Sequence, residues 1–155
     1  MRAMMLKKFA PVESVPLKSV DIAAPEPGRG EVRVKVAVCG VCHTDLHTVE
    51  GELPEVKLPR IPGHQVVGVV EKLGEGAVRF KVGDRVGAAW LYAACEECEF
   101  CRRGDENLCL KARFTGFHTH GGYAQFLVAP EKFLYAVPAA FSDAEAAPLL
   151  CAGII

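Results

Sequence analysis

Residues Glu31–Val38 read EVRVKVAV, and residues Gln65–Leu73 read QVVGVVEKL. The first segment alternates apolar and charged side chains with period two, the pattern of a strand with one buried face. The second is rich in valine and follows the Pro62–Gly63 break, so it also reads as a strand. Working outward, Arg85–Trp90 and Tyr123–Ala129 carry the same signal, and earlier strands are expected over Ala3–Phe9 and part of Ser14–Ile22. Pro25–Gly30, Pro59–Gly63 and Gly83–Asp84 supply turn chemistry between them. Helical signals are few. Cys42–Glu50 fits a short helix, and Ser142–Asp143–Ala144–Glu145 is a capping box that opens a helix near Asp143. That helix is expected to be unfinished at Ile155. The chain therefore reads as a mainly β domain, a barrel or sandwich with a few short helices. It has no internal repeat and no low-complexity tract.

The bulk composition narrows the function. A chain of 155 residues makes one ordinary domain, able to bury roughly 70% of the surface its unfolded form exposes. A formal charge of −1 with no basic run argues against nucleic acid as a partner. No apolar stretch approaches the length of a membrane span, and Met1–Ala10 lacks the apolar segment of a secretory leader. Seven cysteines cannot all pair internally as disulfides. A reducing, cytoplasmic setting is the expectation, with cysteines used as metal ligands.

Cys95, Cys98, Cys101 and Cys109 form a C-x2-C-x2-C-x7-C run. Four thiolates so close in sequence can surround one zinc at about 2.3 Å, leaving no position for substrate, so such a site is structural. Spare thiols, disulfides and an iron–sulfur cluster are the alternatives. The fourth cysteine stands seven residues on rather than three, with no proline after it, which departs from the ferredoxin pattern. Between the cysteines lie mostly charged residues, including Glu96, Glu97, Glu99, Arg102, Arg103, Asp105 and Glu106. A lobe with so little apolar surface would need the metal as its core.

A second concentration of chemistry runs from Cys39 to His47 (CGVCHTDLH), with His64 and Cys151 further on. Two thiolates and one imidazole can hold zinc with its fourth position open. Singly, each residue has a plainer reading, as a small buried thiol or a structural histidine beside glycine.

Taken in order, GVCHTDLH (Gly40–His47), a variant of G-H-E-x-x-G-x5-G (Gly63–Gly74), KVGDRV (Lys81–Val86), the cysteine lobe, GGYAQF (Gly121–Phe126) and CAG (Cys151–Gly153) form a recognisable series. The sequence resembles the zinc-dependent medium-chain alcohol dehydrogenases over essentially its whole length. The resemblance implies a GroES-like β-barrel catalytic domain over residues 1–155, with a structural-zinc lobe at 95–109. It implies Cys42, His64 and Cys151 as ligands of a catalytic zinc, and leaves Cys39 as a packed thiol. It assigns Thr44 and His47 to a proton relay, His43 to the pyrophosphate of NAD(P), Asp45 to orienting an imidazole ligand, and Trp90 to the wall of a pocket for a small alcohol or aldehyde.

The chain departs from that pattern twice. Gln65 stands where the family has glutamate. Either the amide fills the same volume and the site survives, or a lost negative charge leaves the metal more electropositive. The resemblance also implies a nucleotide-binding domain after this region, which residues 1–155 are expected not to contain, since Gly74–Glu75–Gly76 lacks the third glycine of a dinucleotide loop. The chain alone is therefore expected not to transfer hydride, and to use NAD(P) only when a nucleotide-binding domain is supplied. Two zincs are expected, firm in the lobe and weaker at Cys151, which lies close to a chain end. Leu149, Leu150, Ile154 and Ile155 are expected to lie partly uncovered and to favour self-association. A non-enzymatic zinc-binding module, or truncated relic, is the competing reading, and an iron–sulfur electron carrier a third.

Overall fold

The computed structural model describes residues 1–154, apart from the side chain of Ile154. In chain order its elements are β1 (Arg2–Leu6), β2 (Leu17–Asp21), β3 (Glu31–Gly40), α1 (His43–Glu50), β4 (Gln65–Leu73), β5 (Arg85–Ala88), β6 (Leu91–Ala93), α2 (Glu99–Arg103), β7 (Arg113–Phe114), β8 (Phe126–Pro130), β9 (Leu134–Ala136) and α3 (Asp143–Leu149). Short 3-10 turns fall at Val12–Ser14, Glu106–Leu108, Glu131–Phe133 and Ala152–Ile154. The domain is mainly β, in keeping with the alternating segments.

A five-stranded sheet in the order β8–β3–β4–β5–β9 forms the body, and each neighbouring pair is antiparallel. The β1–β2 hairpin is tied on by two isolated bridges, Ala3 with Ala124 and Leu6 with Arg60, which curl the whole into a half-barrel. In β3 the period-two pattern works as read. Val32 and Val34 are buried, while Arg33 on the opposite face bonds to Glu26 and Glu71. These valines pack with Val66, Val70, Val86, Leu127 and Leu134 to form the core. In β4, however, Gln65–Gly68 is buried on both faces, because Ala146 and Ala147 of α3 cover Val67 from behind.

Several boundaries differ from those read in the sequence. β5 stops at Ala88, and Trp90 leaves the sheet, its carbonyl accepting the Thr115 N–H at 2.9 Å. Tyr123 and Ala124 precede β8, because the Tyr123 carbonyl accepts the Met4 N–H at 2.8 Å and Ala124 bridges to Ala3. β1 ends at Leu6, whose N–H and carbonyl both bond to Arg60. The last helix does not run on. Leu150 and Cys151 donate to Ala147 and Pro148, three residues back, which tightens the final turn and leaves Cys151 beyond the α-helix. Leu149 and Leu150 are half-buried, and Leu150 packs with Val67 and against Gly87. The expectation for the Ile154 side chain and for Ile155 lies outside the described residues. Strands β6, β7 and β9 are only two or three residues long, too short for a periodic pattern to register.

Gly74 ends β4 against another piece of backbone. A Cβ there would stand 1.9 Å from the Gly28 carbonyl oxygen and 2.8 Å from that of Glu31. Backbone cannot rotate away as a side chain can. Gly74→Ala is expected to cost at least about 1–3 kcal/mol, the range for overpacking. Denaturant unfolding checks this; an unchanged midpoint would show that the 28–31 turn yields freely.

Candidate functional site

Strand register brings the first two candidate ligands together. Gly40 pairs with Gln65 and Cys39 with Val66, so the end of β3 and the start of β4 lie side by side. Cys42 follows β3 as the N-cap of α1, and His64 immediately precedes β4. α3 then packs across β3 and β4 and delivers Cys151 from its C-terminal turn. The ligand atoms of Cys42, His64 and Cys151 all lie within 4.8 Å of one another, with the two sulfurs 4.0 Å apart.

Asp45 braces this arrangement. Its Oδ2 accepts the Cys42 N–H and its Oδ1 the Gly63 N–H, each at 2.9 Å. Gly63 can aim its N–H there because its φ is +96°, a left-handed conformation. His64 Nδ1 stands 3.5 Å from Asp45 Oδ1, which leaves Nε2 for the cysteine side. Burial alone would raise the Asp45 carboxyl, but the His64 imidazole and the two N–H donors outweigh it and hold it low. Burial would likewise lower His64, yet Asp45 and Cys42 raise it. At Cys42, burial is outweighed by hydrogen bonds from Thr44 and by His64, and the thiol is held below its ordinary value. Cys151 is pushed up by burial and by the neighbouring Cys42, although a hydrogen bond from Gln65 opposes this.

This cluster fits a zinc ion. His64 is only 1% exposed; its Nδ1 stands at ion-pair distance from Asp45, and its Nε2 has no hydrogen-bond partner. An imidazole nitrogen so buried needs a ligand. Two thiols and an imidazole are borderline-soft donors of the kind zinc takes. Cys39 is not in the group. Its Sγ points into the packing against Gly63 and Gly122, and burial pushes its thiol up to about 12.

The four-cysteine lobe is a second cluster, hung between β6 and β7. Cys95, Cys98, Cys101 and Cys109 place their sulfurs within 4.8 Å of one another, and none is in a disulfide. The Cys98–Cys101 and Cys95–Cys101 separations are 3.5 and 3.9 Å. A zinc tetrahedron with bonds of about 2.3 Å has edges of roughly 3.8 Å. Cys109 Sγ accepts the backbone N–H groups of Cys95 and Lys111, each at 3.4 Å. The Glu97 and Cys98 N–H groups hold Cys95 down at about 6, while burial and the neighbouring Cys98 push Cys101 up to about 12. Four thiolates repel one another until a cation joins them. α2 buries no residue of its own, so little else would hold the lobe.

The remaining sequence candidates lie around the three-residue cluster. Thr44 Oγ1 is 3.8 Å from Cys42 Sγ. His43 and His47 stack on α1 with ring centroids 4.5 Å apart, and His47 Nδ1 pairs with Glu52. Trp90 sets its ring edge-on against His64 at 4.9 Å. Gln65 is buried, its side chain lying over Gly40. Sequence reasoning did not pick out Glu52, Phe114, Phe117 or Tyr123. Phe114 stacks on Trp90 at 4.8 Å and Phe117 tilts against it at 5.8 Å, which extends the aromatic wall. The two phenylalanines of FTGF (114–117) were the available signal. Tyr123 packs on Gly63 with its hydroxyl buried and unpartnered; nothing local in the sequence marks it.

The family profile described as "Alcohol dehydrogenase GroES-like domain" matches residues 28–139. A probable alcohol dehydrogenase of Mycobacterium tuberculosis is 48% identical over 160 residues, covering 100% of this chain and 46% of the relative. An alcohol dehydrogenase of Geobacillus stearothermophilus is 43% identical over 155 residues, covering 99% of this chain and 45% of its own length. Among solved structures, the cobalt- and zinc-bound thermostable alcohol dehydrogenase from Pyrobaculum aerophilum superposes with a TM-score of 0.87 at 34% identity, over 96% of this chain and 44% of that one. The chain thus spans less than half the length of these relatives. On its half-barrel, its two clusters of side chains able to hold a metal and these matches, the chain belongs to the zinc-dependent medium-chain alcohol dehydrogenase family, and it corresponds to that family's GroES-like domain.

Proposed function

We propose that these residues form the metal-holding and proton-moving part of an alcohol dehydrogenase acting on small alcohols and aldehydes with NAD(P). The observation that carries this reading is the meeting of Cys42, His64 and Cys151, three residues from distant parts of the chain, around a buried imidazole braced by Asp45 on one side, with no hydrogen bond to its Nε2. Zinc bound there supplies a Lewis acid that lowers the pKa of an oxygen ligand and polarises a carbonyl.

The chain's own side chains do the rest. Cys42, His64 and Cys151 would hold the metal with one ligand fewer than the four cysteines of the lobe supply, as in catalytic rather than closed structural sites. The Thr44 hydroxyl, beside Cys42, accepts the substrate's proton and passes one on, so it carries no lasting charge. His47 lies one turn further along α1, half-exposed and paired with Glu52, and hands the proton to water. Asp45 fixes the His64 ring through its Nδ1 side. Trp90, backed by Phe114 and Phe117, narrows the pocket and excludes water. His43, exposed beside His47, meets the pyrophosphate of the dinucleotide. The dinucleotide itself is held by the portion of the relatives' length that this chain does not span.

Metal analysis with a function-neutral readout tests this first. Cobalt substitution is expected to occupy two sites per chain, and His64→Ala is expected to lose the one with a nitrogen ligand while keeping the four-sulfur one. Alcohol-dependent NAD⁺ reduction, measured in the protein joined to its nucleotide-binding part, is expected to fall by at least about a thousandfold in His64→Ala, since several kcal/mol of charge stabilisation go with the metal. Two cobalts retained in the variant would sink the metal assignment. A normal metal count without any alcohol oxidation would leave a zinc-binding module and reject the enzyme.

A further inference from the structure

On the other side of the aromatic wall lies a cluster of positive charge with no role in the site described above. Arg60 sits in the segment leading into β4, where its N–H and carbonyl both bond to Leu6, at 2.9 and 2.7 Å. This places the side chain inside the fold, and the residue is only 9% exposed. Its Nε is buried without a hydrogen-bond partner. Among the described residues no carboxylate lies within 4.0 Å of its guanidinium. An arginine stays charged in proteins, so a buried, unpaired one is costly. Burial, and then the like charge of Arg113, push its pKa down.

A cavity of about 260 Å³ opens next to it, lined by Glu55, Lys57, Arg60, Ala112, Arg113 and His118. Lys57 and Arg113 are exposed at its mouth and likewise form no ion pair among the described residues. Arg113 is held over the face of Tyr92 at 5.6 Å, which orients its guanidinium. The one carboxylate, Glu55, is 3.5 Å from His118 Nε2. His118 Nδ1 accepts the Phe114 N–H at 3.1 Å, so the ring proton sits on Nε2 and faces Glu55. The nearby His120 accepts the Ile61 N–H at 3.2 Å through Nδ1, and partial burial, followed by the charge of Arg60, lowers its pKa. Three fixed cations and one carboxylate leave a formal charge of +2 around the cavity.

We propose that Lys57, Arg60 and Arg113 form a binding site for a doubly charged oxyanion of the phosphate or sulfate type. Such an ion balances the local charge. Its oxygens match the forked donors of two guanidiniums, and the Arg60 side chain, which lines the cavity and forms no ion pair among the described residues, gains an opposite charge. The site is not isolated. His118 stacks on Phe114 at 5.5 Å, Phe114 on Trp90, and Trp90 meets His64, so a row of rings joins the oxyanion pocket to the metal cluster.

The test is independent of catalysis. Inorganic phosphate is titrated into the zinc-loaded protein at constant ionic strength, and amide and arginine Nε–H signals are followed by NMR. Saturable shifts are expected at Arg60 and Arg113, half-complete at about 1 mM or below, and acetate at equal concentration is expected to bind at least tenfold more weakly. Arg113→Gln and Lys57→Gln change exposed side chains, so both should fold, and each is expected to weaken phosphate at least tenfold with zinc content unchanged. Glycerol phosphate is the second probe. Tighter binding than inorganic phosphate identifies a substrate-borne phosphoryl group, and weaker binding identifies the free ion. The proposal is overturned by shifts that are linear and reproduced by chloride, by shifts confined to residues around Cys42 and His64, or by an affinity unchanged in both variants.

Discussion

Cys101→Ser is expected to empty the lobe of metal and unfold residues 95–109 while the five-stranded sheet stays intact. The four sulfurs are the lobe's core: α2 buries nothing, and among the cysteines only Cys109 is fully buried. Exposed ion pairs such as Lys111 with Glu97 and Arg103 with Glu99 are worth little beside the roughly 10–16 kcal/mol of apparent binding energy that structural zinc supplies in small domains. Native mass spectrometry should count two zincs in the parent and one in the variant, and limited proteolysis should newly cut between residues 95 and 109. Hydrogen exchange in β3 and β4 should change little, because the hydrophobic cluster that holds these strands includes no residue of 95–109. In the parent, a chelator should remove the Cys151-containing zinc before that of the lobe. Two zincs in Cys101→Ser with no new cleavage would show that the lobe holds itself together by other means.

Asp45→Ala is expected to destabilise the fold by about 3–5 kcal/mol, the usual result of stripping one partner from a buried charged network. The carboxylate is 5% exposed and accepts two backbone N–H groups, of which that of Gly63 is buried. It also stands behind His64, so metal at the Cys42–His64–Cys151 cluster should bind about 10–100-fold more weakly. Asp45→Asn separates the two effects. It keeps one acceptor oxygen and the volume, so stability should fall less, while metal affinity should still fall because the charge is gone. Calorimetric unfolding and competitive zinc titration check both variants, with the lobe metal as an internal control. Equal metal affinity in parent, alanine and asparagine forms would remove Asp45 from the metal cluster's support.

How much of this was readable beforehand depends on distance along the chain. The alternation in EVRVKVAV placed Val32 and Val34 inside, because a strand sends neighbouring side chains to opposite faces. The capping box at Ser142 formed as read, with the Ser142 side chain accepting the Glu145 N–H, because both partners lie within one turn. β4 was harder. Its buried run QVVG has no alternation, since α3 covers its second face and nothing near residue 67 announces a helix at residue 146. The end of α3 was misjudged for a related reason: its final turn closes through three-residue bonds once Leu150 docks near Gly87.

The amino-acid order alone determined the four-cysteine cluster, because fifteen residues of chain make only a short loop to close and every ligand lies inside it. It also marked Cys42, His64 and Cys151 as ligand types. Only tertiary structure decided that they meet, since that needs the Gly40–Gln65 register, the burial of Asp45 and the seating of α3 across both strands. It decided, too, between two thiols three residues apart: Cys39 is still in β3 and turns into packing, whereas Cys42 caps α1 and turns to His64. Backbone direction at each residue is set by the strand and helix it belongs to, and the meeting of remote residues is set by packing that no local stretch encodes.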